Sequence, residues 1–176
     1  FRSRHIFAVG NWAAGNVGAG RDRVTTNTMD EEQERVMSPE ENKKLAKQVY
    51  DAFSRNDLDG VLEKIADDAV DHAMPPGLPA GKEGIRQLLT EWLGAFSDFR
   101  MEPLVLIAEG DHVAAHIRWT GRHTGAFMGQ AATNRSVDLT TTEILRIEGG
   151  LMKERWATED NLGLFTQLGL QPPPAS

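Results

Sequence analysis

The sequence predicts an α+β domain over residues 39–170, and three observations carry that expectation. Apolar residues recur at helical spacing up to Phe96. Beyond Phe96 the period becomes strand-like, and the turn signals Gly110-Asp111 and Gly149-Gly150 divide the later part into antiparallel hairpins. Helices first and long strands afterwards give a layered α+β arrangement rather than a parallel α/β one.

Each element follows from its residues. Ser38-Pro39-Glu40-Glu41 opens the first helix: Ser38 caps it, Pro39 suits the first turn, and Glu41 completes a capping box. Leu45, Val49, Ala52 and Phe53 then share one face. A second short helix carries Leu58, Val61, Leu62 and Ile65, and a third, from Gly84 to about Phe96, carries Ile85, Leu88, Leu89 and Trp92. The proline-rich stretch Pro75-Pro76-Gly77-Leu78-Pro79 between them is a stiff loop, since proline is excluded from helix interiors and central strands. Strands are expected over residues 100–109, 112–123, 136–147 and 151–158, and a last helix over 161–170 ends near Gly169. Strands of about ten residues are long enough to twist and curl, so helices laid across them enclose a pocket.

Composition narrows the function. A hydrophobic share of 40% is ordinary for a globular protein, whereas the net charge of −7 argues against nucleic acid as a partner. No apolar run approaches the length of a membrane span. The absence of cysteine removes disulfides, thiol nucleophiles and zinc-thiolate sites, and fits a reducing cytoplasm. Residues 1–37, basic and Gly/Ala-rich at first and then charged without an apolar period, are expected to form a disordered leader and linker, with Met29 or Met37 as candidate starts; residues 171–176 form a flexible tail.

No phosphate-binding loop, dinucleotide fingerprint, zinc-protease motif or nucleophile elbow is present. Chemistry must therefore come from ordinary acids, bases and hydrogen bonds in the pocket. Strict alternation along the last strand puts Met152, Glu154, Trp156 and Thr158 on one face, continuing to Asp160, and sets Lys153, Arg155 and Ala157 on the other. A carboxylate beside an indole in a dry pocket is held protonated to higher pH, which suits a general acid or base. Asp160 equally suits the cap of the helix that starts at Asn161, and the two roles can coexist. Glu143 and Glu154 read either as inward carboxylates or as cross-strand partners of Arg118, Arg146 or Arg155. His116 and Arg118 share a strand face, and His72 and His123 end elements near the expected cavity mouth. The spacings of these histidines and Asp71 match no compact metal-ligand pattern, so no metal is expected. Tyr50, Trp92 and Phe127 join Glu143, Glu154 and Trp156 as expected substrate contacts.

Four stretches in order resemble the SnoaL-like polyketide cyclases (ester cyclases), which have the NTF2-like cone fold. They are Asp71-His72 with Pro76-Gly77-Leu78-Pro79-Ala80-Gly81-Lys82-Glu83-Gly84; Ala95-Phe96-Ser97-Asp98-Phe99; Ile117-Arg118-Trp119-Thr120-Gly121-Arg122-His123-Thr124-Gly125 with Phe127-Met128-Gly129; and Glu154-Arg155-Trp156 with Asp160-Asn161-Leu162-Gly163 and Gln167-Leu168-Gly169. The resemblance implies a homo-oligomer, dimer or tetramer, with no cofactor, acting on a small apolar carbonyl or polyketide-like substrate. It implies an intramolecular aldol condensation in which the aspartate matching Asp160 is acid and base, with His72, Arg118 and His123 at recurring positions. Arg122, where a small residue is usual, and the turn Ala132-Thr133-Asn134-Arg135 depart from the pattern and bear on substrate identity. The same cone also hosts ketone isomerases, epoxide hydrolases and non-enzymatic binders of apolar ligands; an epoxide hydrolase would use Glu143 or Glu154 beside Arg118.

Overall fold

The computed structural model describes residues 37–171, so nearly all of the expected leader and of the tail lies outside the described residues. Helix α1 (Pro39–Ser54) starts at the predicted box: Ser38 Oγ accepts the Glu41 N–H at 3.3 Å, and Glu41 Oε2 accepts the Ser38 N–H at 2.9 Å. Helix α2 (Leu58–Leu62) is shorter than the sequence suggested. Ile65, expected on its last turn, instead opens a strand, β1 (Ile65–Asp71). That strand was missed for a physical reason. It buries Ile65, Ala66 and Ala69, so it shows no period of two, and its pairing is irregular.

Helix α3 (Gly81–Ala95) hands over directly to β2 (Phe96–Glu109), which takes Phe96 from the predicted helix. Strands β3 (His112–His123), β4 (Ser136–Glu148) and β5 (Leu151–Glu159) follow, then α4 (Asn161–Leu168), which ends at Gly169 in the left-handed region (φ 68°). The sheet order is β1-β5-β4-β3-β2, with β1 parallel to β5 and every other pair antiparallel.

One face of this mixed sheet is apolar. Val113, Ala115, Ile117 and Trp119 on β3, with Val137, Leu139, Leu145 and Ile147 on β4, are buried beneath the helices. Polar side chains fix the helices to the sheet. Asn42 Nδ2 donates to the Gly110 carbonyl at 3.1 Å, and the Met101 N–H donates to Ser54 Oγ at 2.8 Å. At the other end Gln167 acts as a surrogate strand partner for Asp138: its Oε1 accepts the Asp138 N–H at 2.8 Å and its Nε2 donates to the Asp138 carbonyl at 3.0 Å. This leaves a cavity between α1, α3, α4 and the inner face of the sheet.

Candidate active site

The cavity has an apolar wall and a charged end. Phe53, Leu88, Leu89, Trp92, Phe99, Met101, Trp119 and Leu139 line the first; Tyr50, Asp71, Thr141, Glu143, Arg155, Glu159 and Asp160 line the second. Trp92 stands edge-on to Trp119 with ring centroids 5.3 Å apart, and Phe127 supports Trp92 at 4.8 Å from outside the lining.

A bulge on β5 decides which of its residues face inward. Ile147 pairs with Met152 and Arg146 with Glu154, leaving Lys153 as an extra residue on β5. The extra residue reverses the alternation from that point on. Met152 lines the cavity, and so do Arg155 and Glu159, whereas Glu154 and Trp156 lie on the opposite face. The expectation drawn from strict alternation, that Glu154 and Trp156 face the pocket and Arg155 faces away, is thus reversed.

Arg155 is the hub of the charged end. Its Nε donates to Glu143 Oε2 at 2.7 Å, Nη1 to Asp71 Oδ2 at 2.9 Å and Nη2 to Glu159 Oε1 at 3.2 Å. Burial disfavours the guanidinium charge, but the fields of Glu143, Asp71 and Glu159 outweigh it and hold the group protonated far above its ordinary range. Glu143 also accepts the Tyr50 phenol proton at 2.6 Å. Burial, followed by the charge of Glu143, pushes the Tyr50 hydroxyl well above the usual tyrosine range, so it stays a neutral donor. Glu143 therefore faces inward and is also ion-paired; the two alternatives read from the sequence are both realised at one residue.

Asp160 combines its two expected positions in the same way. Its Oδ1 accepts the Gly163 N–H at 2.8 Å and caps α4, while the residue sits on the cavity lining. Among the described residues nothing donates to Oδ2. Gly163 makes room for this carboxylate, because a Cβ there would overlap it.

The remaining candidates lie elsewhere. His72 is on the outer face, stacked on Trp156 (4.7 Å, 7°) with Nε2 3.0 Å from Glu154 Oε2. His72, followed by Arg146, holds the Glu154 carboxyl below its usual range. Arg118 also faces outward, where its Nε donates to Asp138 Oδ1 at 2.8 Å, so it pairs with neither Glu143 nor Glu154. His123 is fully buried among Phe96 and Phe127, and Nδ1 accepts the Thr133 N–H at 3.2 Å. It holds the loop after β3 rather than lining the cavity. Of the ten candidates, the cavity brings together Asp160, Glu143, Tyr50 and Trp92, and it adds Arg155, Asp71, Glu159 and Thr141. The signal for Arg155 was present in weak form: neither parity of β5 gives a clean apolar stripe, as expected of a strand broken by a bulge. Among the described residues no group of three or more His, Asp or Glu side chains is disposed to hold a metal ion.

Comparison with known proteins agrees with this fold. The family model for SnoaL-like polyketide cyclase matches residues 43–168. A nogalonic acid methyl ester cyclase from Streptomyces nogalater is 28% identical over 120 residues, covering 67% of this chain and 90% of the relative. Among solved structures, TsrD from Streptomyces laurentii superposes with a TM-score of 0.70 at 25% identity, covering 77% of this chain and 99% of its own. AclR from Streptomyces galilaeus, named as a candidate hydroxylase, does so at 0.67 and 30%, covering 75% and 98%.

Proposed function

The chain belongs to the SnoaL-like polyketide cyclase family, and from that membership we propose that it closes a ring in a polyketide-type substrate by intramolecular aldol condensation, with Asp160 as the general acid/base and no cofactor. The observation that carries the reading is the half-engaged carboxylate of Asp160. One oxygen is fixed by the cap of α4, and the other has no donor among the described residues, where this solvent-exposed residue reaches the rim of an aromatic-walled cavity. Such a group can take a proton from a carbon next to a carbonyl, and return one to the alkoxide that forms when the resulting enolate attacks a second carbonyl. Fixing the substrate in one folded conformation supplies the rest, since both reacting carbons belong to one molecule. Association into a homo-oligomer is part of the proposal and is tested by sedimentation equilibrium.

Asp160→Asn is the test that separates capping from chemistry. Asn is as good a cap as Asp, so α4 stays in place while the proton acceptor is lost. With nogalonic acid methyl ester as assay substrate, turnover should fall by about two to four orders of magnitude while thermal stability and ligand affinity hold. Unchanged turnover in a folded variant would overturn the assignment. Tight binding of that ester with no turnover by the unsubstituted protein would favour a ligand-binding role instead.

A further inference from the structure

Two polar groups at the charged end of the cavity are unaccounted for by an acid/base role for Asp160. Thr141 is 7% exposed, lies on the cavity lining, and its hydroxyl has no hydrogen-bond partner among the described residues. It is the next inward residue from Glu143 along β4. The Tyr50 oxygen, 2% exposed by residue, has given its only proton to Glu143 and keeps its acceptor capacity toward the cavity. The polar atoms sealed off without a partner among the described residues are Asn42 Oδ1 and His123 Nε2, not the Thr141 hydroxyl, which therefore stays open to the cavity and free to bind a ligand atom.

The surroundings decide what that atom is. Each guanidinium nitrogen of Arg155 already holds a carboxylate, and Asp71, Glu143 and Glu159 place three negative charges against one positive. A ligand carboxylate would meet net negative charge at this end, and an ether oxygen would have no proton to give to Tyr50. A hydroxyl has the chemistry that both positions ask for, a proton to donate to the Tyr50 oxygen and a lone pair to accept from Thr141. We infer that Tyr50 and Thr141 form a subsite for an uncharged hydroxyl, phenolic or enolic, carried on a ring that packs against Trp92 and Trp119. The inference rests on the reading of this cavity as the ligand site and deepens it by naming the group that anchors the ligand.

Calorimetric titration of the full chain with three naphthalenes tests this without requiring turnover. The probes are 2-naphthol, 2-methoxynaphthalene and 2-naphthoate at pH 7. The naphthol should bind about tenfold or more tightly than its methyl ether, the difference expected for a lost buried hydrogen bond, and the naphthoate should bind most weakly. Thr141→Val and Tyr50→Phe should each bring the naphthol and the ether to within about threefold, and Thr141→Val alone suffices if the Tyr50 variant does not fold. Equal or tighter binding of the ether, strongest binding of the naphthoate, a preference that survives the substitutions, or no binding of any probe would overturn the subsite. Asp160→Asn should leave the order of the three probes intact, so failure here and failure of the acid/base assignment are distinguishable.

Discussion

At the scale of single residues, His123 shows how a histidine expected at the cavity mouth acts through the fold instead. The ring is fully buried, its Nδ1 accepts a backbone N–H from Thr133, and Nε2 has no partner in hydrogen-bonding geometry. Burial lowers its pKa, and the nearby Gly125 carbonyl offsets only part of that. The folded protein therefore holds this imidazole neutral where the unfolded chain, titrating near about 6.5, already binds a proton. Below that pH the unfolded state carries more protons, so stability falls as pH drops through the window between the two values and levels off beneath the folded one. Urea unfolding at pH 7.5 and at pH 5 should show a loss of roughly 1 kcal/mol per unit of pKa difference that is absent from His123→Gln. Equal pH dependence in the two proteins would assign the slope to other groups.

At the scale of elements, the bulge on β5 converts a surface arginine into the pin of three strands. Arg155 joins Asp71 on β1, Glu143 on β4 and Glu159 on its own strand, and its side chain is 19% exposed, with those of Asp71 and Glu143 at 5% and 4%. Removing the cation leaves two buried carboxylates unpaired, a loss of about 3–5 kcal/mol by analogy with broken buried ion pairs. Arg155→Met should lower the urea midpoint accordingly near neutral pH, and Arg155→Lys, which keeps the charge, should lose less. An equal loss in the two variants would mean that the guanidinium's shape and packing, not its charge, are responsible. The same element sets the limit of sequence reading. The Ser38 box, α1, the hairpin turns and the α4 cap are local signals, and each stands where its residues indicated, while α3 is found with its start moved to Gly81 and its end to Ala95. The bulge at Lys153 and the parallel β1–β5 pairing arise from contact between distant segments and leave no period of their own. Glu143, Tyr50 and Trp92 lie upstream of that irregularity and Asp160 lies past the end of β5, at the cap of α4, and all four line the cavity; Glu154 and Trp156 lie on β5 just past the bulge and face outward.

At the scale of the whole molecule, the cavity is a standing cost that the fold carries. Leu88, Leu89, Met101 and Leu139, with the mutually packed rings of Trp92, Phe99 and Trp119, border a space on one side, and apolar atoms lining a void forgo there the dispersion contacts that a packed core would provide. Long strands on one side and Gln167-anchored α4 on another keep the space open, because the backbone hydrogen bonds of β2, β3 and β4 resist collapse onto it. Function and stability should then pull in opposite directions at the wall. Leu88 on α3 lines the cavity and is only partly buried, so a larger ring at that position can extend into empty space rather than into a neighbour. Leu88→Phe should stabilise the protein by about 1 kcal/mol, a rise in Tm of roughly 3 °C for a domain of this size, and should weaken binding of naphthalene-sized ligands at least about tenfold. Scanning calorimetry with and without 2-naphthol reads both effects. In the unsubstituted protein, saturating ligand should raise Tm by mass action; in the variant, the same ligand concentration should move the higher baseline less. A lower Tm in Leu88→Phe would show that the wall is already close-packed at that point, and would place the ligand space nearer the Arg155 end.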